Sequence, residues 1–274
     1  MKKKTGISQI AINIALCFIV VLLFIPFAIM IITSLKDEMQ IAVNFFGLPK
    51  PAVWANYPKA FSMIKGYFVN SFIVTGCTVA GIVAVAVPAG YVFAKFKFKG
   101  KEILYYIILA FTLIPSGMLL VPLYINIVSL HLGNTHLGVI LPNIAGGSVM
   151  AILLSRGFFE EISDTIFESA KIDGARETQV IVKMLIPLSK PIVGTLCVYY
   201  FFTNFNQFML PYIVLTSDKL KTIPIGLAKL AGQYGINFGL QMAGYSITAV
   251  PLMILFLCTS KLYVKGITSG AVKG

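Results

Sequence analysis

Charged residues are scarce in this chain of 274 residues. Only 12% are Asp, Glu, Lys or Arg, whereas 58% are hydrophobic. An average soluble domain carries roughly a quarter charged residues, and a single soluble core could not hide this much apolar surface. The composition therefore excludes an ordinary soluble protein and indicates an integral membrane protein.

Ionisable residues are missing from the long apolar runs. A helix needs about 20 apolar residues to cross the hydrocarbon layer, and six runs are long enough: 10–34, 68–94, 103–129, 135–155, 190–212 and 241–262. Their interiors contain no Asp, Glu, Lys, Arg or His. Because a buried ionisable group usually marks a proton relay or ion pathway, this absence counts against a proton-coupled secondary transporter and suits a neutral solute. Sodium coupling through backbone carbonyls stays open.

Cysteine is sparse as well, and the phosphate-binding pattern of ATPases is missing. The four cysteines (Cys17, Cys77, Cys197 and Cys258) lie singly in apolar runs, which excludes a disulfide framework and a zinc spacing. Gly100-Lys101-Glu102 lacks both the upstream glycine and the following Ser or Thr of a P-loop. We therefore expect no catalytic residue, no metal and no cofactor in this chain, and no ATP hydrolysis by it.

The basic residues that are present predict the topology. With the N-terminus inside, 15 of the 22 Lys and Arg residues fall on the inner side and 7 on the outer side, as the positive-inside rule requires. We expect a cytoplasmic N-terminus at 1–9, a transmembrane domain at 10–264 with a cytoplasmic loop at 156–189, and a cytoplasmic tail at 265–274. The net charge of +12 is divided among loops, which suits contact with membrane lipid and not nucleic acid.

Two outer segments leave their roles open. Residues 35–67 include the only tryptophan, Trp54, which suits either the membrane interface or a docking surface for an external partner. The glycine-rich segment 213–240 could reach into the mouth of a pore or turn over it. Prolines occur within or near most of the apolar runs, where each interior proline is expected to bend its helix.

A polar segment from Glu168 to Pro187 interrupts the apolar pattern. Just before and at its start, Ile162, Ile166, Phe167 and Ala170 have helical spacing and predict an amphipathic helix. Gly174 is expected to end that helix, since glycine readily takes the left-handed conformation. A second helical pattern then runs over 175–185 until Pro187 breaks it.

The order of residues in this segment resembles the EAA loop of permease subunits of bacterial ATP-binding-cassette (ABC) importers. The matching positions are Glu168-Ser169-Ala170, Gly174, Met184 and Ile186-Pro187, with Ser169 at a usual alanine. Other segments are similar to maltose-type carbohydrate permeases, namely 56–71, 89–96 and 172–175 together with the C-terminal 270–274. The resemblance is closest to the smaller, six-span subunit.

This resemblance implies a fold, partners and a coupling site. The fold would be an all-α membrane protein with six transmembrane helices, the type I importer permease fold, in the cell membrane of a bacterium. The partners would be a homologous second permease, two copies of a cytoplasmic ATPase that binds ATP and Mg, and an extracellular solute-binding protein. The residues expected to couple to the ATPase are Glu168, Ser169, Ala170, Asp173, Gly174, Ala175 and Pro187.

The resemblance implies a carbohydrate as the solute, with an oligosaccharide expected. The alternatives are an importer of another small solute and an ion-coupled secondary transporter. Sugars are held by amide hydrogen bonds and by flat aromatic faces. The candidate translocation-path residues are accordingly Asn204, Phe205, Asn206 and Gln207. Packing between helices explains such amides equally well, and both interpretations stay open.

Overall fold

A computed structural model describes residues 7–172, 174–232 and 237–271, and its α-helices account for most of them. Short 3₁₀ segments and one π-helical segment lie between the α-helices. The α-helices are α1 Ile7–Ser34, α2 Glu38–Val43, α3 Asn56–Lys95, α4 Lys101–Ala110, α5 Leu120–Ser129, α6 Leu137–Glu160, α7 Asp164–Ile172, α8 Glu177–Val180, α9 Ile186–Leu188, α10 Lys190–Phe205, α11 Met209–Val214, α12 Ile223–Gly232 and α13 Phe238–Ala271.

The helix lengths agree with the six predicted spans once bent pairs are counted as single spans. Four continuous segments are long and apolar enough to cross a membrane: Gln9–Ser34, Asn56–Lys95, Leu137–Glu160 and Phe238–Thr259. Two pairs pass the same test together but are bent, Lys101–Leu113 with Ser116–Ser129 and Val182–Leu188 with Lys190–Phe205. The protein is therefore a multi-pass, all-helical membrane protein.

The third predicted span, 103–129, is not a straight helix. Its two halves meet at an angle of 91°. The break lies at Ile114, which is extended (φ −82°, ψ 118°), directly before Pro115. A proline disfavours helical backbone at the preceding residue and supplies no N–H of its own, so the sequence places the bend at this point.

The fifth predicted span, 190–212, is also interrupted. Helix α10 ends at Phe205 and α11 begins at Met209, which leaves 206–208 outside both helices. On the N-terminal side of α10, the predicted position of the helix break, at Pro187, was wrong by two residues. Pro187 lies in the first turn of α9, where its missing N–H costs no helical hydrogen bond, and the 49° bend falls between Leu188 and Lys190.

The chain divides into two compact units. The first comprises Met1–Lys65 and Gly226–Leu252, and the second comprises Gly66–Ile225 and Met253–Gly274. In the first unit the fully buried Lys36 donates from Nζ to the carbonyl oxygens of Asn44 and Phe45, at 2.8 Å each. These bonds hold the end of α2, whereas Trp54 remains exposed. The predicted domain bounds 1–9, 10–264 and 265–274 stay a prediction.

The second unit contains the core that positions the polar segment. Buried side chains of α3, α6 and α10 meet those of the shorter helices α7 to α9 in one cluster. Helices α3 and α6 approach closely at Gly90, where a Cβ atom would lie 2.8 Å from the backbone nitrogen of Arg156. Glycine is therefore needed at position 90 for this contact.

Candidate functional site

The polar segment forms a hairpin of short helices, called here the α7–α9 hairpin (residues 164–172 and 174–188). Helix α7 begins with Asp164, whose negative charge is favourable at a helix N-terminus. Gly174 has a φ of +76°, in the left-handed region. The predicted helix end at this glycine is confirmed, since α7 stops at Ile172 and α8 starts at Glu177.

Lys95, the last residue of α3, fixes the start of α7. Its Nζ donates to the carbonyl oxygen of Ile162 and to Oδ1 of Asp164, the latter at 2.6 Å. The Lys95 side chain is only 9% exposed, whereas that of Asp164 is 73% exposed. The hydrogen bond from Lys95, and then its positive charge, hold the pKa of the Asp164 carboxyl below its usual value.

Phe167 anchors the middle of α7 in the core. Its ring lies 5.5 Å from that of Tyr91 on α3, and Tyr91 in turn lies 5.6 Å from Phe159 on α6, measured between centroids. The Lys95 Nζ lies 5.7 Å from the centre of the Phe167 ring, within the range of a cation–π contact. Helix α7 is thus joined to the ends of two predicted membrane helices by packing and by charge.

The second half of the hairpin is tied to the same core. The Arg176 backbone N–H donates to Oε1 of Gln179 at 2.9 Å, one of the two bonds of a capping box. Val180 and Leu185 are buried, and Ala175, Met184 and Leu188 are packed around them. The π-helical segment Ile181–Leu185 then leads to Pro187, which is exposed.

The predicted apolar residues of α7 are divided between its inner and outer faces. Ile166 is 43% exposed, whereas Ile162 and Phe167 pack on the core. The contacts of Phe167 and Lys95 fix the rotation of α7 about its axis. Ile166, which precedes Phe167 in the chain, therefore faces outward. Ser169 and Ile172 are exposed as well.

Some predicted coupling residues lie outside the description. Asp173 is not among the described residues, and neither are the side chains of Glu168 and Ala170. Ser169 donates from Oγ to the Thr165 carbonyl oxygen at 2.7 Å, within its own helix. Sequence reasoning missed Lys95 and Tyr91 as supports of the hairpin; a lysine closing an apolar helix, with an acidic residue in the next polar loop, was the available signal.

A second charged cluster joins α4 to α6. Arg156 donates from Nη1 and Nη2 to the Glu102 carboxylate at 3.1 and 3.0 Å, and from Nε to Glu160 at 2.7 Å. The guanidinium carbon also lies 3.9 Å from the centre of the Tyr105 ring. The two Nη atoms of Arg156 therefore join α6 to α4, whereas the Nε bond to Glu160 lies within α6.

We expect Arg156→Ala to destabilise the purified chain by about 1–2 kcal/mol, because charge-assisted hydrogen bonds are lost but the acidic partners are half-exposed. Thermal unfolding in detergent measures this as a fall in Tm of a few degrees. Arg156→Lys should lie between the two, since an ammonium group cannot form the paired contact with Glu102. An unchanged Tm for Arg156→Ala would show that the cluster adds no stability.

The four candidate path residues lie at the end of α10 and have different surroundings. Phe205 is 2% exposed and packs against Phe72 and Phe201, at 5.5 Å from each ring. Gln207 exchanges two hydrogen bonds with Asn143 on α6, at 2.6 and 3.0 Å. This pair supports the packing interpretation for Gln207, and the four residues stay a prediction as path residues.

The two remaining amides bond to their own helix. Asn204 donates to the Tyr200 carbonyl oxygen and Asn206 to that of Phe202, both at 2.8 Å. Asn204 is half-buried, whereas Asn206 is exposed.

Within the described part of the chain, no group of three or more His, Cys, Asp or Glu residues could hold a metal ion.

Comparison with known proteins identifies a family whose model matches this chain. A family model described as "Binding-protein-dependent transport system inner membrane component" matches residues 86–265. The probable ABC transporter permease protein YurM of Bacillus subtilis is 32% identical over 274 residues, which cover 100% of this chain and 91% of that protein. The arabinooligosaccharides transport system permease protein AraQ of the same species is 29% identical over 275 residues, covering 98% and 97%.

The fold has a counterpart among solved structures. A chain in the crystal structure of a bacterial ABC transporter involved in the import of the acidic polysaccharide alginate matches with a TM-score of 0.81. The match covers 95% of this chain and 98% of that chain at 20% sequence identity. The likeness therefore extends over nearly the whole chain.

Proposed function

The chain belongs to the family of inner membrane components of binding-protein-dependent transport systems, and on that premise we propose that it carries carbohydrate into a bacterial cell. In this role it is one of two permeases that together enclose the translocation path. The substrate class is supported by the name of the relative AraQ, a permease for arabinooligosaccharides. The lack of ionisable residues inside the predicted spans fits the same neutral solute.

The proposed partners follow from the division of labour in such a system. This chain has no P-loop, so two copies of a cytoplasmic ATPase bind ATP and Mg and supply the energy. A homologous second permease completes the path, and an extracellular solute-binding protein delivers the solute. The assembly sits in the bacterial cell membrane, with the α7–α9 hairpin on the cytoplasmic side.

The coupling role is supported by the contacts that attach the α7–α9 hairpin to the predicted membrane helices. Its inner face is fixed to α3 and α6 by Lys95 and Phe167, whereas Ser169 and Ile172 stay exposed. An ATPase surface that binds this outer face can therefore move the ends of two predicted spans when it closes on ATP. The small exposed residues Ser169 and Gly174 allow the partner's backbone to come close.

Reconstitution tests this function. The complex is purified in mild detergent from its native host and placed in proteoliposomes with the solute-binding protein, and uptake of radiolabelled neutral oligosaccharides is measured with and without enclosed ATP. We expect uptake only with ATP, and none after the second permease is omitted. ATP-independent uptake by this chain alone would point to a secondary transporter or channel. ATP-dependent uptake of a different solute class would keep the importer and change its substrate.

A further inference from the structure

Helix α10 exposes a surface unlike that of the other predicted membrane helices. Apart from Lys190 and Pro191 in its first turn, the exposed residues from its start to Asn206 are Tyr199, Thr203 and Asn206. Tyr199 is 42% exposed and is the only large hydrophobic residue exposed on α10. Each of the three carries a hydroxyl or an amide group.

The other candidate spans expose large aliphatic side chains, as helices in contact with lipid do. Examples are Leu23 on α1, Val85 on α3, Ile103 on α4, Leu141 on α6 and Ile254 on α13. Apolar exposed groups cost nothing against lipid tails, whereas exposed hydroxyls and amides there lose their hydrogen bonds to water. The exposed part of α10 is thus suited to a polar environment.

The three polar residues share one side of the helix. An α-helix turns by about 100° per residue, so positions 199, 203 and 206 fall within an arc of about 60°. We call this row the α10 stripe. Thr203 donates from Oγ1 to the Tyr199 carbonyl oxygen at 2.9 Å, and Asn206 donates from Nδ2 to that of Phe202 at 2.8 Å. Within the described residues, the Asn206 Oδ1 and the Tyr199 hydroxyl keep hydrogen-bonding capacity for another molecule.

A second observation supports a polar environment at the same place. The helix stops directly after Phe205, and 206–208 lie outside any helix although the sequence predicts a membrane span over 190–212. Non-helical backbone at membrane depth is tolerated where it is covered by protein or lines a water-filled cavity. Asn206 is the exposed member of this break, whereas Gln207 is half-buried and paired with Asn143.

We propose that the α10 stripe of Tyr199, Thr203 and Asn206 lines the water-filled path and binds hydroxyl groups of the passing solute, an inference that rests on the proposed transport function. The tyrosine ring offers a flat face to the C–H surface of a sugar, and the amide and hydroxyl groups pair with its hydroxyls. Asn204 and Phe205 instead support the stripe from inside the subunit, since Phe205 is fully buried.

Thiol labelling tests whether the stripe faces water in the assembled transporter. The four native cysteines are replaced by alanine, and Thr203→Cys and Asn206→Cys are made separately in that background. A charged, membrane-impermeant thiol reagent is then applied to the reconstituted complex. We expect both cysteines to react, and we expect the matched control Val85→Cys, exposed on α3, to remain unlabelled. An assembled, transport-active complex whose two stripe cysteines do not react would overturn the proposal and place the stripe against lipid or the second permease.

Solute binding by the stripe is tested by transport kinetics. Tyr199→Phe removes only the hydroxyl, and its loss should raise the KM for carbohydrate about threefold to tenfold, with complex assembly unchanged. Thr195→Val, on the buried side of α10, serves as control and should leave the KM unaltered. An unchanged KM for both Tyr199→Phe and Asn206→Leu would overturn the binding role. If the cysteines react but only a non-carbohydrate solute slows their labelling, carbohydrate is not the substrate, whereas the assignment of the stripe to a water-filled path is supported.

Discussion

Replacement of Gly174 by valine should strongly reduce solute uptake while the chain still enters the membrane. Gly174 has a φ of +76°, and a residue with a Cβ atom pays about 1–2 kcal/mol in that conformation. A β-branched side chain is a steric outlier there. The turn between α7 and α8 would relax to a different backbone path, and the surface proposed to bind the ATPase would be displaced. We expect uptake to fall at least about tenfold, since 1.4 kcal/mol corresponds to a factor of ten.

The matched control for this variant is Gly174→Asn. A Cβ atom at position 174 would meet no other atom within 4 Å, so the demand is on backbone conformation and not on space. Asparagine tolerates the left-handed region better than other residues with a side chain, and it should retain much of the uptake. Uptake and ATPase content of the purified complex are measured for both variants. Normal uptake by Gly174→Val would remove the turn from the coupling account.

Replacement of Lys95 by alanine should uncouple ATP hydrolysis from transport. Lys95 joins the end of α3 to the carbonyl oxygen of Ile162 and to the Asp164 carboxylate, so its removal breaks the polar link between α3 and the start of α7. Without these bonds, the ATPase could still bind the outer face of α7, but only apolar packing such as the Phe167–Tyr91 contact would remain to carry its movement to α3. We expect the number of ATP molecules hydrolysed per solute imported to rise severalfold.

Two variants separate this effect from a general loss of charge. Lys97→Ala removes the same charge from an exposed position two residues away and should leave the ratio of hydrolysis to uptake unchanged. Lys95→Arg keeps the donors and should restore part of the coupling. Both activities are measured in the same proteoliposomes. An equal fall in hydrolysis and uptake for Lys95→Ala would indicate lost ATPase binding instead of lost transmission.

The overall architecture could be predicted from the sequence because the length of each apolar run decides whether it can form a membrane-spanning helix. The family resemblance is confirmed by the match over residues 86–265, and the all-helical membrane fold by the structural match. The interruptions were harder to foresee. A proline such as Pro115 marks a bend but gives no angle, and the observed 91° depends on what each half packs against. The cytoplasmic location of both termini stays a prediction.

Features of the candidate site could be predicted where a single residue determines the local backbone conformation. Gly174 marked the turn because few other residues adopt its φ, whereas the outward rotation of Ile166 depends on Phe167 meeting Tyr91, a residue 76 positions earlier in the chain. The same holds for Asn204, Phe205, Asn206 and Gln207. Their composition suggested a polar path, but which of them are exposed follows from where α10 ends and from Asn143 on another helix.

Cross-linking from α7 tests the central claim most directly. Ser169→Cys and, as control, Ser62→Cys are made in the chain without native cysteines; both serines are exposed, and Ser62 lies in the first turns of α3. The assembled complex is treated with a short thiol-reactive photocrosslinker, and the products are identified by mass spectrometry. The account predicts that Ser169→Cys captures a P-loop ATPase and that Ser62→Cys does not. Capture of no ATPase by Ser169→Cys in a complex that contains one would contradict the assignment of α7 as the coupling helix.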